Sequence, residues 1–272
     1  MTAVALSRPD RIQFGDVVAS EWTKLRSLRS TTWAFVAYIV LSVGFCVLAT
    51  SLTTANWAHA SASDRRDTLT DPIGLILQPG AVWGQIAICV LGVMLFAGEY
   101  STGMIRASML AVPRRTPVLA AKAAVFAAVT FAVAEVVAFT SFFVGQAIIA
   151  KHVPVSLGDP GVLRAVIGTG LALAVVGLFA MSLGILVRHL AGAITLAIGL
   201  VTVLPTVASA LPGRVGDYVK TYLPGGNSVG MIMSSGHSTD AVVTPWQGFA
   251  IACGWTAIAL ALATVSLRRR DV

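Results

Sequence analysis

The stretch 163–210 reads LRAVIGTGLALAVVGLFAMSLGILVRHLAGAITLAIGLVTVLPTVASA, and its only ionisable residues are Arg164 and the Arg188-His189 pair. Two apolar runs, 163–187 and 190–210, lie on either side of that pair. Because about 20 apolar residues cross the ~30 Å hydrocarbon core of a bilayer, each run is long enough to span a membrane. The stretch therefore predicts two transmembrane helices joined by a tight turn.

The rest of the chain has the same character. Of its 272 residues, 56% are hydrophobic and only 11% are charged, whereas a soluble domain has about 25% charged residues. Four further apolar runs predict spans at 32–52, 81–97, 118–149 and 247–267. The six spans leave no room for a soluble domain of ordinary size, so we expect one membrane domain over 1–272. The predicted fold class is an all-α membrane protein.

Lysine and arginine residues predict the orientation of the spans. With both termini in the cytoplasm, the inner segments hold 13 of the 19 Lys and Arg residues, and the outer segments hold six. This bias follows the positive-inside rule and predicts a multi-pass protein of the cytoplasmic membrane. The basic pI near 9.8 is then a topology signal. We expect no nucleic-acid partner, because that function needs basic residues clustered on one folded surface.

The residues before the first span predict an amphipathic helix over 14–30 that lies on the inner membrane surface and contacts lipid. Its apolar arc consists of Phe14, Val17, Val18, Trp22, Leu25 and Leu28. Glu21 falls within this arc, and a carboxylate in apolar surroundings needs a cationic or hydrogen-bonding partner. Lys122 or the Arg114-Arg115 pair is one hypothesis for that partner. Local pairing with Lys24, or solvation among lipids, is the alternative.

The segment 99–115, EYSTGMIRASMLAVPRR, separates the second and third spans. It predicts a short cytoplasmic helix over 102–112, capped by Ser101 and ended by Pro113. Arg114 and Arg115 can contact lipid phosphates. A helix of this kind is typical of an element that inserts into a groove on another protein, and the alternative is an interfacial helix with no partner. The side chains that it would expose are Met104, Ile105, Arg106, Met109 and Leu110.

The outer segments carry helix starts and breakers. Asp71-Pro72 predicts the start of a short helix, and Pro79-Gly80 predicts its end before the second span. The segment 211–246 mixes Gly and Pro with apolar residues and predicts an external re-entrant or interfacial pair of helices.

Motifs for catalysis and nucleotide binding are missing from the sequence. It contains no G-x-x-x-x-G-K-[ST] and no H-E-x-x-H motif. The Gly226–Gly230 run matches G-x-S-x-G, but the histidine that follows it, His237, comes before Asp240, which is the wrong order for a hydrolase. We therefore expect a chain that is not an enzyme and that holds no metal or cofactor of its own.

Glu135 is the one acidic residue deep within a predicted span. Intramembrane ionisable groups are costly, so they are functional candidates by default. Glu135 could line a substrate cavity, attract a cationic substrate or carry a proton. The alternative is a protonated or hydrogen-bonded carboxyl group packed against a neighbouring helix.

Three motifs together resemble the permease subunit of ABC type-2 exporters, of the small actinobacterial kind. They are SEWTKLRSLRS at 20–30, GEYSTGMIR at 98–106 followed by AVPRR at 111–115 and Ala121-Lys122, and LRRRD at 267–271. The resemblance covers essentially the whole chain, and its second motif is the most specific.

The resemblance implies a homodimer of permeases with two separately encoded ATPase subunits that bind ATP and Mg. A coupling helix at about 101–113 would enter a cleft of each ATPase, and 211–246 would form an external lid. The connecting helix at 14–30 would be held by Glu21, Lys24 and Lys122. The residues that would contact the ATPase are Glu99, Tyr100, Ser101, Thr102, Met104, Ile105, Arg106, Met109, Leu110, Arg114 and Arg115.

The implied function is ATP-driven movement of an apolar or amphipathic substrate (a drug, antibiotic or lipid) across the cytoplasmic membrane. Two other functions stay open from the residues alone. One is a stand-alone secondary transporter that uses Glu135. The other is an integral membrane enzyme, which would need paired polar catalytic residues at matching depth.

Overall fold

The computed structural model describes residues 13–102, 115–211, 213–225, 227–235 and 243–269. Helices dominate these residues, and no β-strand occurs among them. In chain order the helices are α1 (Phe14–Ser27), α2 (Arg29–Ala55), α3 (Ala62–Thr70), α4 (Pro72–Thr102), α5 (Arg115–Ile149), α6 (Val162–Val187), α7 (Leu190–Ala208), α8 (Gly213–Tyr222), α9 (Asn227–Ile232) and α10 (Pro245–Arg269).

Six of these helices, α2, α4, α5, α6, α7 and α10, are long and apolar enough to cross a membrane. They coincide with the six predicted spans and confirm the prediction of an all-helical, multi-pass membrane protein. Most helices extend a few residues beyond the predicted limits, because hydropathy marks the hydrocarbon core and the helices continue past it. The chain is therefore built from hydrophobic helices whose polar backbone groups are paired within each helix.

The predicted break at Pro79-Gly80 is wrong. Helix α4 runs without interruption from Pro72 to Thr102 and contains Pro79. A membrane helix tolerates an internal proline where a neighbouring helix supports the backbone. Pro79 leaves the Leu75 carbonyl oxygen without its helical donor, and α2 packs against the residue after the proline, where the Ser42 hydroxyl donates a hydrogen bond to the Gly80 carbonyl oxygen at 3.1 Å. The backbone of Ser101 is also part of α4, and the helix predicted over 102–112 lies almost entirely outside the described residues.

Helices α4 and α6 form the centre of the bundle. In their most apolar windows 72% of the residues are buried, compared with 17–33% in the other four spans. The two helices approach closely at glycines: a Cβ atom on Gly92 would lie 2.5 Å from the carbonyl oxygen of Gly177, and one on Gly184 would lie 2.9 Å from that of Val93. Small residues of this kind allow membrane helices to pack backbone to backbone.

The turn between α6 and α7 is as tight as the sequence predicts. Arg188 has a left-handed backbone (φ 57°) that ends α6, and His189 begins α7. The Nδ1 atom of His189 accepts a hydrogen bond from the Gly192 backbone at 3.1 Å. His189 is therefore a helix cap.

Helix α1 is shorter than the predicted 14–30 helix. It ends at Ser27, and Leu28 adopts an extended conformation before α2 begins. Val17, Glu21 and Leu25 form its buried face, whereas Trp22 is exposed, as expected of an interfacial helix. This geometry separates α1 from the first span and allows it to lie against α5.

The predicted re-entrant segment contains the two short helices α8 and α9. Ile232 at the end of α9 is fully buried against α6, where a Cβ atom on Gly168 would lie 2.6 Å from the Ile232 side chain. The backbone after α9 is tied to the start of α4, because the Ser235 N–H donates to the Asp71 carboxylate at 3.0 Å. Helix α9 therefore packs against α6 and α10, whereas α8 packs against α7, α9 and α10.

Gly92→Ala tests the contact between α4 and α6. The added methyl group meets the Gly177 carbonyl oxygen, so we expect the free energy of unfolding to fall by about 1–3 kcal/mol. Gly44→Ala is the matched control, because nothing lies within 4 Å of the new Cβ atom on α2. Thermal unfolding of both variants in mild detergent measures the difference. Equal unfolding temperatures would contradict the close packing.

Candidate functional site

A buried ion pair joins α1 to α5 at the predicted cytoplasmic end of the bundle. Glu21 Oε1 lies 2.7 Å from Lys24 Nζ, and Glu21 Oε2 lies 2.9 Å from Lys122 Nζ. The side chains of Glu21 and Lys122 are each only 5% exposed, whereas Lys24 is 31% exposed. The structure thus brings together the predicted long-range partner and the predicted local partner on one carboxylate.

Lys122 also contacts the last turns of α4. Its Nζ atom donates a hydrogen bond to the Leu95 carbonyl oxygen at 3.3 Å and lies 5.5 Å from the centre of the Phe96 ring. An ammonium group over an aromatic face is attracted by the ring quadrupole. The buried ammonium group of Lys122 therefore links three helices: α1, α4 and α5.

The charge of Glu21 depends on this arrangement. Burial disfavours the ionised carboxylate, but Lys122 and Lys24 outweigh burial and lower the pKa of Glu21 below its ordinary value. The Glu21 carboxylate is therefore ionised at neutral pH. Breaking it by removing one partner leaves a desolvated charge, which is far more costly than losing an exposed ion pair.

The ion pair adjoins the segment that the sequence marks for partner binding. Helix α4 ends at Thr102 and α5 begins at Arg115. Leu95 and Lys122 each lie about two turns from those ends. Several predicted coupling residues lie outside the described residues: Met104, Ile105, Arg106, Met109, Leu110 and Arg114. The backbone of five more is helical, but their side chains are outside the description: Glu99, Tyr100, Ser101, Thr102 and Arg115.

Glu135 lies away from this ion pair, in the middle of α5. Both of its carboxylate oxygens are buried and have no hydrogen-bond partner among the described residues. The carboxyl group lies against α6 at Gly170, where any side chain would collide with Glu135 Oε1. Buried polar atoms without partners are uncommon and need an explanation. This geometry makes Glu135 a second candidate site.

A cavity of about 270 Å³, which we call the outer cavity because it lies toward the predicted external side, is lined by α4, α7 and the region around α9. The polar side chains that line it are neutral: Gln78, Gln85, Thr202, Thr206 and Ser209. Gln85 donates to Thr202 Oγ1 at 3.4 Å, next to a π-helical turn at Gly199–Val203. Such turns are frequent at functional sites.

Sequence analysis missed the Leu95 and Phe96 contacts and this cavity. A backbone carbonyl carries no sequence signal, and the π-helical turn has no composition that would reveal it. The described residues contain no group of three His, Cys, Asp or Glu side chains that could hold a metal ion. Neither the protein-family models nor the curated proteins match this chain.

Glu21→Gln should lower the free energy of unfolding by about 3–5 kcal/mol, because it removes the carboxylate from the buried Lys122 ammonium. The double variant Glu21→Gln with Lys122→Met should recover most of that loss, since an uncharged pair needs no compensation. Lys24→Met is the control for the more exposed partner and should cost less. Denaturant unfolding of the native chain, Glu21→Gln, Lys122→Met and the double variant forms a double-mutant cycle for the Glu21–Lys122 pair. Additive losses would argue against a direct pair.

The same pair predicts a pH dependence. A carboxylate with a lowered pKa in the folded protein contributes stability above its unfolded pKa, and the contribution is lost as the pH falls through the folded pKa. The stability difference between the native chain and Glu21→Gln should therefore be constant from about pH 6 to 8 and shrink below about pH 4. Unfolding temperatures measured across this range provide the test. A difference that grows on acidification would contradict the assignment.

Proposed function

We propose that this chain is the transmembrane subunit of an ATP-driven exporter of the ABC type-2 kind. It would move an apolar or amphipathic substrate (a drug, antibiotic or lipid) across the cytoplasmic membrane. Six helices able to span a membrane are compatible with a transporter. The finer assignment rests on the resemblance of the three sequence motifs and on the geometry around Lys122.

The observation that carries the proposal is the three-way contact of Lys122 with α1, α4 and α5. The segment 103–114 connects α4 to α5, so a force applied to it acts on both helices at once. Because Lys122 is held by Glu21 and by the Leu95 carbonyl oxygen, displacement of α5 would also pull on α1 and α4. In this proposal, a force that a bound partner exerts on the segment 103–114 is transmitted to α1, α4 and α5 together.

The partner must supply the energy, because the sequence has no P-loop motif. We propose two ATPase subunits that bind ATP and Mg and a second copy of this chain, with both termini in the cytoplasm. The spans α2, α7 and α10 have only 17–28% of their apolar windows buried. Their exposed faces leave surface for lipid and for a second copy.

The substrate route is proposed through the outer cavity. A rigid α4 connects the Lys122 contact at Leu95 to Gln85 on the cavity wall, about 15 Å along the helix. Movement at the cytoplasmic end can therefore change the cavity. Neutral polar side chains on an otherwise apolar wall suit an amphipathic substrate.

A secondary transporter driven through Glu135 is the second candidate function. The observation that favours it is the pair of buried carboxylate oxygens that have no partner among the described residues. A proton or a cation bound there would supply the missing partner. This function predicts transport that continues without any ATPase and stops when the proton gradient collapses.

Arg106→Glu tests the exporter proposal by purification of the tagged chain from native membranes in mild detergent. We expect a P-loop ATPase to accompany the native chain at near-equal stoichiometry and to be lost in the variant, because the charge reversal falls within the proposed contact. Arg66→Glu on α3, at the proposed outer surface, is the matched control and should retain the ATPase. Mass spectrometry after cross-linking gives the readout. A native preparation that contains no ATPase would contradict the proposal.

Glu135→Gln separates the two candidates. Efflux of a cationic dye and of a fluorescent phospholipid is followed in cells that express either protein, with and without a protonophore. The exporter proposal predicts that the variant still transports while ATP is present, because Glu135 is not among the residues that line the outer cavity. Transport abolished both by Glu135→Gln and by the protonophore at constant ATP would favour the secondary transporter.

A further inference from the structure

A second cavity, of about 330 Å³, opens beside the ion pair between α1, the start of α2, the end of α4 and the start of α5. We call it the inner groove. Its walls are largely apolar and include Leu25, Leu28, Met94 and Val125, while Lys24 lies at one end. Its size falls within the range of small-molecule sites, about 300–1,000 Å³. An apolar groove with a charged end suits an amphiphile.

The buried hydroxyl group of Thr31 indicates that the inner groove holds a ligand. Thr31 lines the groove and is only 4% exposed. Its hydroxyl group has no hydrogen-bond partner among the described residues. Leaving a buried hydroxyl unsatisfied costs about 1–3 kcal/mol. A polar atom of a bound molecule would remove that cost. Ser27 and Ser30 add two further hydroxyl groups to the same wall.

The charges around the groove select an anion. Lys24 and Lys122 line it, and the exposed residues Arg26 and Arg29, at the end of α1 and the start of α2, are sequence neighbours of its lining residues. The Glu21 carboxylate also lines the groove, but it already holds two ammonium groups at 2.7 and 2.9 Å. A phosphate group would therefore be attracted to this end.

The position of the groove matches the membrane interface. Helix α1 presents the exposed Trp22 beside its buried face, and Trp is enriched at the headgroup level. The segments around the groove are those that the Lys and Arg bias assigns to the cytoplasmic side. A lipid of the inner leaflet could thus enter the groove with its headgroup at the charged end and a chain between the apolar walls.

We propose that the inner groove is a binding site for an anionic glycerophospholipid of the inner leaflet. One acyl chain would lie against Leu25, Leu28 and Met94. Its ester or glycerol oxygens would reach Thr31, and its phosphate would face Lys24, Arg26 and Arg29. The lipid would bridge α1 to α2 and α4 beside the Glu21–Lys122 pair, so the docking of α1 would depend on membrane composition. This proposal needs no ATPase and does not rest on the exporter assignment.

Native mass spectrometry of the full chain in mild detergent tests the site. The probes are phosphatidylglycerol and phosphatidylcholine with identical acyl chains. We expect one phosphatidylglycerol to be retained at least fivefold more strongly than phosphatidylcholine. Glycerol 3-phosphate, which carries the anion without chains, should not compete. Equal retention of the two lipids, or competition by glycerol 3-phosphate, would overturn the proposal of an anionic lipid.

Thr31→Val locates the lipid within the fold. The variant removes the unsatisfied hydroxyl with little change of shape, so the lipid-free protein should be as stable as the native chain or more so. Its affinity for phosphatidylglycerol should fall about fivefold, the equivalent of one hydrogen bond. Thr130→Val is the matched control, because the Thr130 hydroxyl is also buried without a partner among the described residues but lies outside the groove. Equal affinities of the two variants would overturn the role of Thr31.

Two further variants test the walls and the charged end. Met94→Trp fills the groove and should lower phosphatidylglycerol retention tenfold or more. Arg26→Gln with Arg29→Gln should abolish the preference over phosphatidylcholine, whereas Arg65→Gln with Arg66→Gln, on α3, should not. Full retention by Met94→Trp would show that the lipid binds elsewhere. If Met94→Trp does not fold, the phosphatidylglycerol affinity of Thr31→Val, which preserves the packing, tests whether the lipid binds in the groove.

Discussion

The ammonium group of Lys122 is buried where α1, α4 and α5 meet, and the arrangement of this end of the bundle depends on its compensation. A desolvated cation is stable only with a close carboxylate and further acceptors. Glu21 provides the carboxylate, and Leu95 provides a carbonyl oxygen. An amphipathic helix alone binds a membrane surface in no fixed position. The ion pair fixes α1 against α5 and makes it part of the bundle.

The contact of α4 with α6 holds the centre of the bundle together, as the ion pair holds α1 against α5. These two spans are the most buried of the six, and they meet at Gly92 and Gly177 with their backbones almost in contact. Packed interiors transmit displacement because they have little free volume. Helix α4 therefore reaches from the Lys122 contact to the wall of the outer cavity as one continuous element, in spite of Pro79. The proposed transmission from a partner to a substrate route depends on that continuity.

The fold could be predicted from hydropathy because a bilayer imposes a length and a composition on every span. The details that failed are those decided by neighbouring helices. Pro79 predicts a break, but it lies inside the continuous helix α4, which packs closely against α2 at Gly80. The partner of Glu21, by contrast, could be predicted as one of a few cations, and the structure places two of them, Lys122 and Lys24, on its carboxylate. The inner groove and Thr31 leave no trace in the sequence, because a cavity is a property of packing.

The central claim is that the segment between α4 and α5 receives an ATPase. Site-specific photo-cross-linking from position 106 in native membranes, followed by mass spectrometry of the adduct, tests it most directly. A photoreactive residue at position 66, on α3, serves as the control. The account predicts that position 106 cross-links to a P-loop ATPase and that position 66 does not. Adducts from position 106 to lipid or to this chain alone would contradict the exporter assignment and leave Glu135 as the candidate for energy coupling.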